Sequence, residues 1–101
     1  MRIEIADDVD GHRYEIRADG EPAGFVTYRL KAGLIELVHT EIDEEFEGHG
    51  LGSQLISFAL DDARKRGLGV LPFCPFVNDY IQRHRQYVDL VPEARRAEFG
   101  L

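Results

Sequence analysis

The sequence predicts an α+β (mixed α/β) fold, a mixed sheet with its helices packed on it, in the order β-β-β-β-α-β-α. Three observations carry that expectation. The first half alternates apolar and polar residues between turn dipeptides, as an antiparallel meander does. At Leu51 the apolar period changes to that of an amphipathic helix. A short apolar run, Gly69 to Phe73, follows that helix, so strands four and five flank one helix and should lie parallel through a right-handed crossover.

Residues 2–6 alternate through Arg2, Ile3, Glu4 and Ile5 and read as a short first strand. Asp10-Gly11 turns the chain, and His12 to Ala18 alternates again with Tyr14 and Ile16 on one side. Asp19-Gly20 is the strongest hairpin dipeptide present. The third strand runs from Glu21 to Lys31; Pro22 suits its start and Gly24 marks a candidate bulge. Ala32-Gly33 leads into the fourth strand, Leu34 to Ile42. From Leu51 to Arg66, residues Leu51, Leu55, Ile56, Phe58, Ala59, Leu60 and Ala63 make one broad apolar helical face. Arg64, Lys65 and Arg66 complement the carboxyl end of the helix dipole, and Gly67 is the expected residue just past it. Pro72 leaves the fifth strand at an edge or a break. A second helix is expected from about Val77 to Tyr87, with Asn78 or Asp79 near its start, and the tail has helical spacing from Pro92 to Phe99.

The 101 residues suffice for one domain with a modest core, and residues 1–101 are expected to form it without linkers or repeats. A formal net charge of −7 weighs against a nucleic-acid partner, which needs a basic stripe, and is compatible with a cationic one. With a single cysteine no intramolecular disulfide is expected. Met1 to Ile5 lacks the apolar core of a signal peptide, and no stretch approaches the roughly 20 apolar residues of a membrane span. The expected setting is the cytoplasm, with no membrane partner and a monomeric chain.

The segment Glu47-Gly48-His49-Gly50-Leu51-Gly52-Ser53 is the strongest candidate for a binding element. Its glycines let the backbone fold tightly and approach a ligand without Cβ clashes. The helix that begins there exposes unpaired N–H groups and the positive end of its dipole, which suits a pyrophosphate, and Ser53 adds a hydroxyl donor. A flexible turn, or close packing of helix on sheet, explains the same glycines equally well from these residues alone. A P-loop fits worse, because it needs Gly-Lys-Ser/Thr and Gly52 is followed by Ser53-Gln54. A dinucleotide fold needs a repeated βαβ sheet, which the antiparallel front half does not supply. The carboxylates Asp43, Glu44, Glu45 and Glu47 read as a solvated loop and are unusual neighbours for an anion site.

With its flanks, this loop resembles the GNAT superfamily of N-acetyltransferases, which carries Gln/Arg-x-x-Gly-x-Gly/Ala between its fourth strand and the next helix. Here Glu47-Gly48-His49-Gly50-Leu51-Gly52 matches it, with Glu47 in place of the usual first residue. The resemblance sharpens to a small single-domain, YjdJ-like branch through Val38-His39-Thr40, Glu47 to Gly52, and Pro72-Phe73-Cys74-Pro75-Phe76-Val77. It continues through Tyr80-Ile81 and Arg83-His84 to Tyr87. The resemblance implies a GNAT-like fold in which parallel strands four and five splay apart. Acetyl-CoA would lie in the wedge with its pantetheine along the exposed edge of strand four. That lays Leu37 to Ile42 along the cofactor, with Val38, Thr40 and Ile42 as contacts, and assigns the pyrophosphate to Gly48, His49, Gly50, Leu51, Gly52 and Ser53. Full-length relatives insert two helices between strands one and two. Here only Asp7 to Gly11 separates them, so the acceptor side should be open to a large or loosely selected acceptor.

Acetyl transfer to an amine, which the resemblance implies, requires three things. The amine must lose a proton, the thioester carbonyl must be polarised, and the departing thiolate must gain a proton. His39, placed by alternation on the face of Ile35 and Leu37, is the favoured base, since histidine titrates near neutrality. Its alternative is a half-buried structural residue. Cys74 ends strand five facing the wedge, as acid toward the CoA thiolate or as acetyl-accepting nucleophile; a small buried apolar residue is its alternative. Tyr80 is the candidate helix acid and Tyr87 a second, with packing as the default for both. Asn78 is a candidate partner of the pantetheine arm, and Phe73 and Phe76 are expected in the core or lining the wedge. His12, His49 and His84 lack metal-ligand spacing with one another or with Cys74, so no metal site is expected. Arg83-His84-Arg85 pairs with the helix dipole, or reaches CoA phosphates on the family reading.

The sequence thus reads as an acetyl-CoA-dependent N-acetyltransferase acting directly on an amine-bearing small molecule, peptide or protein. A non-catalytic acyl-CoA-binding module would use the same loop without His39 or Cys74. A cofactor-free interaction domain is the third reading.

Overall fold

In the computed structural model, which describes residues 1–101, the alternating stretches form β1 (Ile3–Asp8), β2 (Arg13–Ala18), β3 (Glu21–Lys31) and β4 (Leu34–Ile42). A 3-10 turn (Glu44–Phe46), α1 (Leu51–Lys65), β5 (Gly69–Pro72) and α2 (Pro75–Arg83) follow, then 3-10 segments at Arg85–Leu90 and Glu93–Phe99. The strands lie in the order β1-β2-β3-β4-β5, with antiparallel neighbours up to β4 and a parallel β4–β5 pair. Tight dipeptide turns join β2 to β3 and β3 to β4, with Asp19-Gly20 and Ala32-Gly33 all at positive φ.

The period change at Leu51 decides what covers the sheet. Leu55, Ile56, Ala59, Leu60 and Ala63 of α1 are fully buried in one core with Tyr14, Ile16, Val26, Ile35 and Leu37 of the strands. Each fully buried Leu or Ile contributes about 1.5–3 kcal/mol relative to exposure. Phe58, at the margin of that face, stays 39% exposed and packs edge-on against Tyr14.

Polar groups pin α1 to the sheet as well. The Tyr14 hydroxyl donates to Asp62 Oδ2 of α1 (2.6 Å), and the Tyr28 hydroxyl donates to Asp7 Oδ1 of β1 (2.6 Å). Arg66 stands between those carboxylates, 3.5 Å from Asp7 and 3.4 Å from Asp62. Burial, reinforced by the bonded carboxylate, holds both phenols well above the ordinary tyrosine value of 10.0. The folded chain therefore keeps protons that the unfolded chain releases at about pH 10, so stability is full below that range and falls as pH rises through it. In urea titrations, Tyr14→Phe should cost about 1–2 kcal/mol at neutral pH and reduce the alkaline loss. An alkaline loss identical to that of the native chain would show that Tyr14 does not carry it.

Two bulges modify the sheet. Ile16 pairs with Gly24 and Arg17 with Pro22, which leaves Ala23 as the extra residue, one position from the expected Gly24. Tyr28 pairs with Leu37 and Thr27 with His39, which leaves Val38 unpaired. This second bulge shifts the alternation of β4. Thr40, opposite the buried Val26, shares the face of Leu37, and His39 turns to the other face. The expectation that His39 lies on the face of Ile35 and Leu37 is therefore corrected.

The second helix starts earlier and stops earlier than its spacing predicts. Pro75 occupies its first position, where the fixed φ suits a helix and the missing N–H costs nothing. At its end, His84 Nδ1 contacts the Tyr80 carbonyl (2.9 Å), and the His84 N–H donates to Ile81 instead. That exchange tightens the chain into the 3-10 segment that carries Tyr87. The tail from Pro92 to Phe99 likewise folds as a 3-10 segment and not as an α-helix.

Candidate functional site

β5 is short, and this opens the sheet. It pairs with β4 only from Leu34–Gly69 to Leu37–Pro72. The Cys74 N–H then donates to the Leu37 carbonyl (2.9 Å), and Pro75 turns the chain into α2 while β4 continues to Ile42. The Asp43 N–H donates to the Ala23 carbonyl on the β3 side (2.7 Å). By strand alternation the backbone groups of Thr40 and Ile42 face the opposite edge, beyond the reach of β5. Such a strip calls for water or a ligand to satisfy it.

The loop after β4 supplies a complementary set of donors. Gly50 is the residue before α1 and has left-handed backbone (φ 73°), which costs an ordinary L-residue about 1–2 kcal/mol. The first helical bond runs from the Gln54 N–H to the Gly50 carbonyl (3.2 Å), and no side chain caps the helix. The N–H groups of Leu51, Gly52 and Ser53 thus meet no acceptor within the protein. Three successive unpaired amides at the positive end of a helix dipole are the arrangement that an anion site requires. Gly52 serves a different end: a Cβ there would lie 2.7 Å from Phe76 Cζ and 3.6 Å from Ile42 Cγ1. Close packing therefore explains Gly52, and left-handed backbone explains Gly48 and Gly50, where a Cβ would meet nothing within 4 Å.

Strip and donors share one cleft of about 370 Å³, within the range of small-molecule sites. It brings together Thr40 and Ile42 with Gly48, Gly50, Leu51, Gly52 and Ser53, and Phe46, Glu47 and Phe76 complete it. Val38, the half-buried bulge residue, does not line it, nor does the exposed His49. Asn78 is also elsewhere: its Nδ2 donates to the Phe99 carbonyl (3.0 Å) and its Oδ1 accepts from Gln82, tying the tail to α2.

The candidate catalytic side chains are distributed around this cleft. Cys74 is buried at the point where β4 and β5 part, with Sγ 3.3 Å from Thr40 Oγ1. Each residue is conspicuous in sequence, but their contact depends on the register that sets Leu37 beside Pro72. His39 is exposed on the far face of β4, with Nε2 3.1 Å from Glu41 Oε2 and its ring edge-on to Phe25. Tyr80 stacks on His84 at 3.9 Å and lines a separate shallow hollow with Ser53 and Ser57. The Tyr87 hydroxyl donates to Asp61 of α1 (2.8 Å). The basic cluster is engaged within α2: Arg83 donates to Asp79 (2.6 Å), and His84 is held by Tyr80. The favourable potential in the cleft therefore comes from backbone amides, with the Glu47 carboxylate opposing it. No three His, Cys, Asp or Glu side chains converge in a group that could hold a metal ion.

A protein-family pattern described as GCN5-related N-acetyl-transferase matches residues 13–90. The solution NMR structure of a GCN5-like candidate N-acetyltransferase from Staphylococcus aureus is similar, with a TM-score of 0.69 and 23% identity over 88% of this chain and 87% of that one. At that identity the likeness establishes a shared fold. No curated protein matches the chain. No helix is long and apolar enough to cross a membrane.

Proposed function

The chain belongs to the GCN5-related N-acetyltransferase family, and from that premise we propose that it transfers the acetyl group of acetyl-CoA to an amine. The observation that carries this reading is the union, in one cleft, of three unpaired amides with an open strip of β4 edge. A diphosphate ester with a long amide-bearing arm matches both parts. Its phosphate oxygens accept from Leu51, Gly52 and Ser53, with Gly48, His49 and Gly50 shaping the loop. Its arm pairs with Thr40 and Ile42 as an added strand would, while Val38 and Asn78 lie outside the cleft and make no contact with it.

In this scheme the amine approaches from the far face of β4 through the splay. Its nitrogen bonds to the acetyl carbon as the carbon–sulfur bond breaks. His39, oriented by Glu41, takes the ammonium proton and passes it to water. Cys74, beside the Thr40 hydroxyl, gives its thiol proton to the departing thiolate and is reprotonated from water after CoA leaves. Tyr80 holds α2 against α1 rather than reaching the sulfur.

One observation favours a second reading, an acyl-CoA-binding module without transfer: none of His39, Cys74 and Tyr80 lines the cleft, and Cys74 is buried behind Thr40. Calorimetry with acetyl-CoA and CoA release with a panel of amines separate the two. The transferase binds and releases CoA above background. Binding with release at background would leave the module, and absence of both binding heat and thermal stabilisation would overturn both.

Glu47 provides a sharper check on the phosphate position. Neutralising a carboxylate near a phosphate is worth about 1 kcal/mol in water, so Glu47→Gln should tighten acetyl-CoA about fivefold, most at low ionic strength. Unchanged affinity at low salt would place the phosphates away from residue 47.

A further inference from the structure

The two outer edges of the sheet are finished differently. β5 carries Pro72, which has no N–H to offer, and the tail packs beside it: a Cβ on Gly69 would lie 3.3 Å from Pro92 Cγ and 3.6 Å from the Leu90 carbonyl oxygen. β1 has no such cover. It runs from Ile3 to Asp8 in unbroken register with β2, without proline, lysine or a bulge, the usual devices that keep an edge from pairing. The Asp19 N–H donates to the Arg2 carbonyl (2.8 Å), so by alternation the backbone of Arg2, Glu4, Ala6 and Asp8 bonds to β2. The N–H and C=O groups of Ile3, Ile5 and Asp7 then point outward along the free edge.

Apolar side chains follow the same edge. Met1 and Val9, at its two ends, are 63% and 64% exposed, more than any other large apolar side chain in the protein. Ile3 and Ile5 lie between them on the face of α1, half-buried against the core. Asp7 brings a charge to that face, but it is already held: the Tyr28 hydroxyl donates to it (2.6 Å) and Arg66 stands 3.5 Å away. It does not guard the edge as a free carboxylate would.

We propose that this edge pairs with the same edge of a second copy, antiparallel and with the two-fold axis at Ile5, so that one sheet runs through both chains. The sequence of β1 is complementary to itself in that register. About six backbone bonds form, exchanged between Ile3 and Asp7 and between the two Ile5 residues. On the α1 face Ile5 meets Ile5 and Met1 comes opposite Val9, so the exposed apolar ends cover each other. On the other face Arg2 comes opposite Asp8, twice, and Glu4 opposite the small Ala6. Within one chain Arg2 has only Glu4 as an ionic partner (3.1 Å), with both side chains well exposed. Asp8 has no ionic partner and accepts from the Gly11 N–H (3.1 Å). Moving the axis by one residue either way sets like charges together, Glu4 against Glu4 or Glu4 against Asp8. A strand of this length makes a small interface, so the dimer is weak, with dissociation in the micromolar range. The inference goes beyond the transferase reading and does not depend on it.

The test is sedimentation velocity of the whole chain from micromolar to near-millimolar concentration, with amide hydrogen exchange read by NMR at both ends of the range. The mass should rise from one chain to two. The Ile3, Ile5 and Asp7 amides should gain protection with concentration, while those of Glu4 and Ala6, already bonded to β2, should not. Arg2→Glu alone, or Asp8→Arg alone, should weaken association about tenfold, since each sets two like-charged pairs face to face. The two together should return it to the native level. Asp8→Arg also loses the Gly11 bond, so melting curves check the fold. The double variant carries the same loss, so recovery in it reports the pairing and not the turn. A monomer at every concentration overturns the proposal and leaves the edge to a strand from a different protein. Association that leaves the Ile3, Ile5 and Asp7 amides unprotected, single variants that associate at native strength, or a double variant no stronger than either single one would each overturn it as well.

Discussion

A Gly52→Leu variant is expected to bind acetyl-CoA at least about a hundredfold more weakly than the native chain while remaining folded. The residue sits in the first turn of α1, where its N–H is one of the three unpaired amides. A Cβ there falls 2.7 Å from Phe76 Cζ, closer than packed atoms tolerate, and the rest of a leucine would extend from this crowded point between α1, β4 and α2. Overpacking of this kind costs about 1–3 kcal/mol, and here the strain falls on the wall of the cleft. Phe76 is 42% exposed and free to swing outward, so the fold absorbs the insertion while the ligand's space does not survive it. Isothermal calorimetry with acetyl-CoA and a melting curve suffice. Native affinity in a properly folded variant would remove the phosphates from this loop.

His39→Gln is expected to lower kcat/KM by about 10²–10³ and to leave acetyl-CoA affinity within about twofold of native, the usual reach of a positioned base. The split follows from the geometry. His39 points away from the cleft, so a role in holding the cofactor would lower affinity and a role in the amine's proton transfer would not. Steady-state rates beside calorimetry read both. Equal losses in rate and affinity would mean that the residue supports the strand and not the chemistry. Direct transfer further requires Cys74 to stay unmodified when the protein meets acetyl-CoA alone. An acetyl increment on Cys74 by intact mass spectrometry would route the group through sulfur instead.

Much of the fold was legible because its determinants are local. The alternation of Tyr14 and Ile16, the Asp19-Gly20 turn and the helical spacing of Leu55, Ile56 and Ala59 each express a preference set within a few residues. The limits of α2 were less legible. Helical periodicity continues past Arg83, but the side chain of His84 takes up the Tyr80 carbonyl that the next backbone N–H would use. Likewise Pro75, two residues before the expected start, outweighs the polar Asn78 and Asp79 as a beginning.

The candidate site divides along the same line. A glycine-rich segment opening a helix after a strand is sufficient, by itself, to expose unpaired amides, because helix geometry leaves its first N–H groups without partners. Those determinants, with the meander and the single crossover helix, were settled by the sequence alone. Tertiary structure alone decided which side chains share the site. The unpaired Val38 turns His39 away from Leu37, and the short β5 leaves Thr40 and Ile42 with an open edge. Parallel register brings Cys74 to Thr40, and Phe76 returns from α2 to meet Gly52. Packing commits Asn78 to the tail and Tyr80 to His84. Each of these depends on pairing register or on contacts between residues far apart in the chain, and no local preference for strand or helix encodes either.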